Sequence, residues 1–242
     1  MTLTAAMLQT FVALLAAHML GDFLLQTGWM VRRKRNVFVL LLHVAIHGAL
    51  VTLALGGVWQ VALVAALAHL VIDIAKTYAL PRRWRDTLAA FLTDQALHLA
   101  TLAWIALQWP GAASAGMLAP YMPQLTPALT VLAGGIATIL AGGFAVGLLT
   151  ARFAQYALTG LPEAGRVIGQ LERALIFLLV LVDQPAAIGF LIAAKSILRF
   201  NDASEDQQTA EYVIIGTLAS FGWALAGSYA TRALLEIVAA TP

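Results

Sequence analysis

Apolar runs of about 20 residues recur along this chain, and they dictate most of what it can fold into. They lie near 4–28, 37–56, 58–79, 87–108, 128–150 and 211–238. A run of that length, wound as an α-helix, matches the ~30 Å hydrocarbon core of a bilayer. Two shorter runs, near 167–183 and 185–199, meet at Pro185. They read as two tilted spans or as a re-entrant hairpin, and either option returns the chain to the same side. A bilayer interior offers no water to backbone N–H and C=O groups. The expected fold class is therefore all-α, a polytopic transmembrane helix bundle of about eight spans. Charged residues make up 11% of the 242 positions, against roughly 25% in soluble domains. That is too little charge to cover a soluble fold. It excludes an ordinary cytosolic enzyme, a disordered tail and a nucleic-acid module, so the expected partner is the lipid bilayer and not nucleic acid. Cysteine is absent, which removes disulfides and thiolate metal sites.

The basic residues stand in clusters that tell topology. Arg32, Arg33, Lys34 and Arg35 follow the first span, Arg82, Arg83 and Arg85 the third, and Arg152 and Arg166 the fifth; Lys195 and Arg199 precede the polar stretch Asn201–Glu211. All of these fall on one side if the N-terminus is outside, as the positive-inside rule requires. The expected chain is multi-pass in its membrane, with both termini outside. The first run has no basic start and no small-residue cleavage site, so it is expected to stay as a mature helix. Three parts are expected: 1–108, a four-helix His/Asp-rich bundle; 109–127, an outer loop with Pro110, Pro120, Pro123 and Pro127; and 128–242, a second helix bundle. Glycines repeat in the fifth span, with Gly143 and Gly147 forming a GxxxG. Such rows let helices approach closely and could also support an oligomer.

All five histidines lie between residues 18 and 98, each four residues from another His or an Asp: His18–Asp22, His43–His47, His69–Asp73 and Asp94–His98. There is one pair per predicted helix, and the pairs start 25 or 26 residues apart. Four-residue spacing puts both members on one helix face. Counted from the basic loops, the pairs share one level, about 12–20 Å from the inner boundary. Each ionisable group at such depth costs at least ~2.5–3.5 kcal/mol on insertion scales, so these groups must pair, bind an ion or line a wet cavity. Imidazole and carboxylate are the ligand set of Zn, Mn or Fe, and eight such groups could hold one or two ions. A hydrogen-bonded bracing network or a proton relay is the other reading; four matched pairs weigh against it. Lys76 and Asp94 are the candidate catalytic groups, with Lys76 suited to an anion or to interfacial snorkelling. Gln26 and Gln95 share these faces as hydrogen-bonding groups beside the ligands.

The runs HMLGDFLLQ, HVAIH, HLVIDIAK and DQALH resemble a bacterial inner-membrane family defined as domain of unknown function 3307. The later runs GRVIGQLERALI, IGFLIAAKSILRF and EYVIIGTLASFGWALA look like the C-terminal half of its longer members. The resemblance implies a location in a bacterial inner membrane and no established activity. A looser similarity links the chain to inner-membrane metal-dependent hydrolases, which also place His and Asp in short spans.

Beyond Arg152 there is no histidine. Arg173, Lys195 and Arg199, with Glu172 and Glu211 close by, read as interfacial anchors or as a basic pocket for a lipid headgroup or phosphate. The function expected first is a metal-dependent hydrolase of a lipid or lipid-linked phosphate, opened from the cytoplasmic side. The alternatives are a metal or proton-coupled transporter, a di-iron oxidase and a metal-stabilised membrane scaffold. A transporter needs polar groups through both leaflets, and the outer halves of the first four spans offer no ionisable side chain.

Overall fold

The computed structural model describes residues 4–156, 163–199 and 207–241. Residues 201–206 of the polar stretch Asn201–Glu211 thus lie outside the described residues, and so does the side chain of Arg199. Among the described residues there is no strand. The principal helices are α1 (Ala5–Leu25), α2 (Val37–Ala54), α3 (Trp59–Ala79), α4 (Leu88–Gln108), α5 (Ala119–Tyr156), α6 (Ala164–Leu181), α7 (Ala187–Arg199) and α8 (Gln207–Ala240). Six of them, α1 to α5 and α8, are long and apolar enough to cross a membrane. The fold is a polytopic membrane helix bundle. Helix α7 has 13 residues, about 20 Å of rise, short of a bilayer core.

Local chemistry sets the helix starts. Thr4, Asn36 and Thr87 cap α1, α2 and α4, each side-chain oxygen accepting a first-turn backbone N–H. Such caps contribute about 1 kcal/mol each by satisfying donors that the helix leaves free. Two helices end in π turns, Leu20–Leu25 in α1 and Ala75–Ala79 in α3.

The described chain divides into two compact units, 1–136 with 234–242, and 137–233. In the first, α1 packs against α2, α4 and the opening half of α5, while α3 packs against α2 and α4. Helices α1 to α4 thus close a ring. One end of the ring is filled by Leu14, Val51, Leu55, Val61, Leu102, Ile105 and Met122, all buried. The stretch expected as a plain outer loop helps to seal this end. It carries a helical turn, Ala112–Ala115, and enters α5 through a 3-10 turn, Ala119–Tyr121, so that Pro127 sits inside a helix. Pro120 and Pro123 fall in the opening turns, where a missing N–H removes no helical bond. Buried Thr10 ties this cover to α1: its hydroxyl donates to the Pro110 carbonyl (2.9 Å) and accepts from the Ala113 N–H (3.1 Å). Gly56 has φ +64°, and a Cβ there would meet the Leu118 nitrogen at 2.6 Å, so this turn needs glycine.

The second unit has its own core of Ile176, Val180, Ile188, Phe221 and Ala224. Helix α5 passes through a π turn at Ala137–Ala141. Carbonyls loosened from the α ladder are held by side chains here: Trp223 Nε1 donates to the Ala137 carbonyl (3.0 Å) and Arg173 Nε to that of Ile139 (3.0 Å). Arg173 also donates to Ser220 Oγ at 3.0 Å. Its side chain fits because Gly142, Gly143 and Gly169 lack side chains; a Cβ at any of them would come within 3.0 Å of an Arg173 atom, the Cδ at Gly142 and a guanidinium nitrogen at the other two. Lys195 pairs with Glu172 (2.7 Å) and lies over the Phe221 ring. Gly142 and Gly143 of the glycine row thus seat an arginine, and Gly142 also packs closely, as the sequence suggests, since a Cβ there would meet the Trp223 ring at 2.5 Å. Arg173→Met should destabilise the protein by about 1–3 kcal/mol, because it strands the Ile139 carbonyl and the Ser220 hydroxyl. Metal content should stay unchanged; thermal melts with elemental analysis of the same sample check both.

Candidate metal centre

The eight paired side chains meet inside the ring of α1 to α4. His18, His43, His47, His69, Asp73, Asp94 and His98 are all buried, at 6% exposure or less. Asp22 is 10% exposed at its side chain. It sits at the centre. Its Oδ1 lies 2.9 Å from His47 Nε2, 3.2 Å from His43 Nε2 and 3.7 Å from His69 Nε2. Asp73 Oδ2 lies 3.6 Å from both His43 Nε2 and His69 Nε2. His43 Nε2 and His69 Nε2 face each other at 3.2 Å. At most one proton can lie between those two nitrogens, yet both also face carboxylate oxygens.

The helix geometry explains how one strand of chain delivers several groups. Residues four apart drift by about 40° per step in an α-helix. The π turns of α1 and α3 contain wider turns with i→i+5 bonds, which offset that drift. On α1, His18, Asp22 and Gln26 therefore all reach the interior, and Gln26 Nε2 lies 3.1 Å from His43 Nε2. On α3, His69 and Asp73 precede the π turn, and Lys76 lies within it.

Among the described residues, three sets of groups have potential ligand atoms within 4.8 Å of one another: His18, Asp22, His47 and His69; His43, His69 and Asp73; and Asp73, Asp94 and His98. His69 is shared by the first two and Asp73 by the last two, so the sets form one continuous cluster. Ligand atoms ~2.0–2.2 Å from a tetrahedral ion stand about 3.4 Å apart. The separations of 2.9 to 3.7 Å around Asp22 fit that spacing.

The surrounding hydrogen bonds point the same way. His98 Nδ1 donates to the Asp94 carbonyl at 2.9 Å, which leaves Nε2 as the lone-pair nitrogen. That Nε2 is buried and has no hydrogen-bond partner among the described residues; the same holds for Asp73 Oδ2 and Asp94 Oδ1. Buried carboxylate oxygens without partners are rare in folded proteins. Each carboxylate is divided. Lys34 Nζ donates to Asp73 Oδ1 (2.8 Å) and Lys76 Nζ to Asp94 Oδ2 (2.8 Å), while the inner oxygens stay bare. Gln95 Nε2 donates to Asp22 Oδ2 (3.1 Å) and Asp94 Oδ2 (3.3 Å), and its Oε1 lies 3.4 Å from His18 Nε2.

The site is layered. Beyond the histidines lies a small cavity of about 20 Å³ lined by Leu14, Val51, Ala65, Leu102 and the rings of His18, His47, His69 and His98. The buried apolar cluster closes this end. At the other end stand the carboxylates and then the two lysines, 21% and 22% exposed at their side chains. The histidine layer is closely packed: the His47 and His69 rings stack with centroids 3.8 Å apart, and the His69 and His98 rings are tilted with centroids 4.3 Å apart.

Two participants escape sequence reasoning. Lys34 stands in a basic run that reads as a topology signal. Its neighbours do face elsewhere, Arg33 over the Trp29 ring and Arg35 over the Tyr78 ring. Gly21, between His18 and Asp22, gives His47 its place; a Cβ there would come within 2.4 Å of the His47 ring. Gly21→Ala should therefore push the imidazole aside and weaken metal binding by about 10–100-fold, the range for lost ligand positioning. Competitive titration with a metal-sensitive dye measures it, and an unchanged affinity would remove His47 from the ligand set. Of the expected anion clamp, Arg173 and Lys195 are engaged by Ile139, Ser220 and Glu172 within the second unit, and the Arg199 side chain lies outside the described residues.

Comparison with curated proteins finds no match, and comparison with solved structures finds none either. One family model does match, described as "Protein of unknown function (DUF3307)", over residues 10–122. That range begins before His18, ends after His98 and holds all eight paired residues, so the segment that builds the His/Asp cluster is a domain of unknown function 3307.

Proposed function

We propose that this chain is a membrane metalloprotein whose helix bundle holds one or two divalent transition-metal ions, Zn, Mn or Fe, and uses them in hydrolysis. The observation that carries the metal reading is the convergence of three imidazole Nε2 atoms on one Asp22 oxygen. A bracing network would satisfy its own polar atoms, whereas bare oxygens on Asp73 and Asp94 call for a cation. Bound ions of this kind acidify water and polarise phosphoryl or carbonyl oxygens. The protein's own part is to hold the ligands, exclude water from the apolar end and present Lys76 and Asp94 at the other. The sealed apolar end favours a site with one opening over a transport path.

By the charge bias, the opening with Lys34 and Lys76 faces the cytoplasm of a bacterial inner membrane, with both termini outside. Cysteine labelling tests that orientation, since the native chain has no Cys. In intact cells Ser114→Cys should react with an impermeant reagent and Asp86→Cys should not; the reverse pattern overturns the orientation. Hydrolysis is tested with metal-loaded protein in mild detergent. Phosphate release from phosphatidic acid should be present in the wild type and absent in His47→Ala. A metal-loaded wild type that cleaves neither phosphate nor acyl esters overturns the hydrolytic reading and leaves metal binding standing.

A further inference from the structure

We propose that Lys34 and Lys76 form an anion site at the open end of the metal cluster, and that its ligand is a phosphate group. This rests on the metal reading above and names the ligand class of the same site. The first support is charge. Asp22, Asp73 and Asp94 bring three negative charges and the two lysines bring two positive ones, while imidazoles that ligate a metal are neutral. One divalent ion leaves the cluster positive by one charge, and two ions leave it positive by three. Uncompensated charge in a helix bundle of low dielectric is strongly disfavoured, so the loaded site calls for an anion. A phosphate, with two negative charges or nearly so at neutral pH, brings either loading to within about one unit of charge of neutrality.

The second support is geometry. The lysines come from different elements, Lys34 from the chain after α1 and Lys76 from the π turn of α3. Each reaches inward to the outer oxygen of a carboxylate whose inner oxygen is bare. The ammonium groups are thus the outward layer of the cluster: their side chains are 21% and 22% exposed, while those of Asp73 and Asp94 are 2% and 6% exposed. A cation at the inner oxygens draws off carboxylate charge and loosens the outer ion pairs. Each ammonium, with three donors and no acceptor, can then donate to a separate phosphate oxygen. The anion site belongs with the metal cluster, and not with Arg173 and Lys195, whose partners lie in the second unit.

The phosphate could be a lipid headgroup or a free ion, and the test separates them. Full-length protein in mild detergent is loaded with Zn2+ and its metal content measured. It is then titrated with inorganic phosphate, and separately with phosphatidic acid in mixed micelles, using phosphatidylcholine as control. The expected result is metal-dependent binding of at least one of the two, weakened about tenfold or more in Lys34→Met/Lys76→Met with zinc content kept. Binding of phosphatidic acid alone identifies a headgroup; binding of inorganic phosphate identifies the free ion. Lys76→Met alone should weaken binding in the same direction, and Lys34→Arg/Lys76→Arg should retain it, which guards against misfolding of the double methionine variant. Zinc-loaded wild type that binds neither probe, or that binds one equally in the folded methionine variants, overturns this inference alone. Wild type that takes up no metal overturns it together with the metal reading.

Discussion

Asp22→Ala should abolish tight metal binding and unfold the bundle more readily than any other single ligand change. In the wild type one Asp22 oxygen faces the Nε2 atoms of His43, His47 and His69, and the other accepts from Gln95. Removing the carboxylate leaves these buried groups facing one another across a cavity. Breaking a buried charged pair on one side costs about 3–5 kcal/mol, and the partners left unsatisfied account for much of it. Stability should fall by that order even in metal-free protein, and bound metal should drop to background. Thermal or denaturant unfolding with and without chelator measures the first effect, and elemental analysis the second. An Asp22→Ala protein that melts like wild type and keeps its metal would show that the imidazoles converge for another reason.

Metal removal should produce the second large effect. An ion that binds the folded bundle and not the unfolded chain stabilises it by RT ln(1 + [L]/Kd), about 4 kcal/mol at a thousandfold excess over Kd. The eight candidate ligand groups are drawn from four helices that approach one another only in the folded ring. Unfolding scatters them, so binding to the unfolded chain is weak. Chelator should lower the melting temperature of the wild type, and added Zn2+ or Mn2+ should restore it. The same additions should leave His43→Ala/His69→Ala unmoved. A melting temperature insensitive to both chelator and metal in the wild type would count against a site formed by folding.

Much of this site is legible in the sequence because helical geometry is regular. Four-residue spacing places His18 with Asp22 and His69 with Asp73 on one face, and the even spacing of the pairs along antiparallel helices brings them to one level. Composition marks the helical membrane class for an equally direct reason, since so few charges cannot cover a soluble surface. What escapes the sequence depends on tertiary contact. The π turns at Leu20–Leu25 and Ala75–Ala79 carry no local signature. Lys34 is one cation among four in a row, and nothing in the row says which one turns inward. The clue at Gly21 is present, a glycine inside an apolar helix between a His and an Asp, but its meaning lies in the ring of His47 on another helix. Arg173 and Lys195 follow the same rule in reverse: as sequence they are cations near helix ends, and the structure supplies buried partners for both. The prolines of Trp109–Pro127 predict a loop, yet Pro120 and Pro123 stand in the opening turns of α5, where a helix tolerates proline, and Pro127 sits inside the helix.

Metal binding itself is read by elemental analysis of the protein, purified in mild detergent without chelator, incubated with Zn, Mn or Fe and freed of unbound ion. About one or two equivalents of transition metal per chain are expected, falling to background in Asp22→Ala and in His43→Ala/His69→Ala. A folded wild type that retains no stoichiometric metal would contradict the metal reading and leave the His/Asp cluster as a hydrogen-bonded brace.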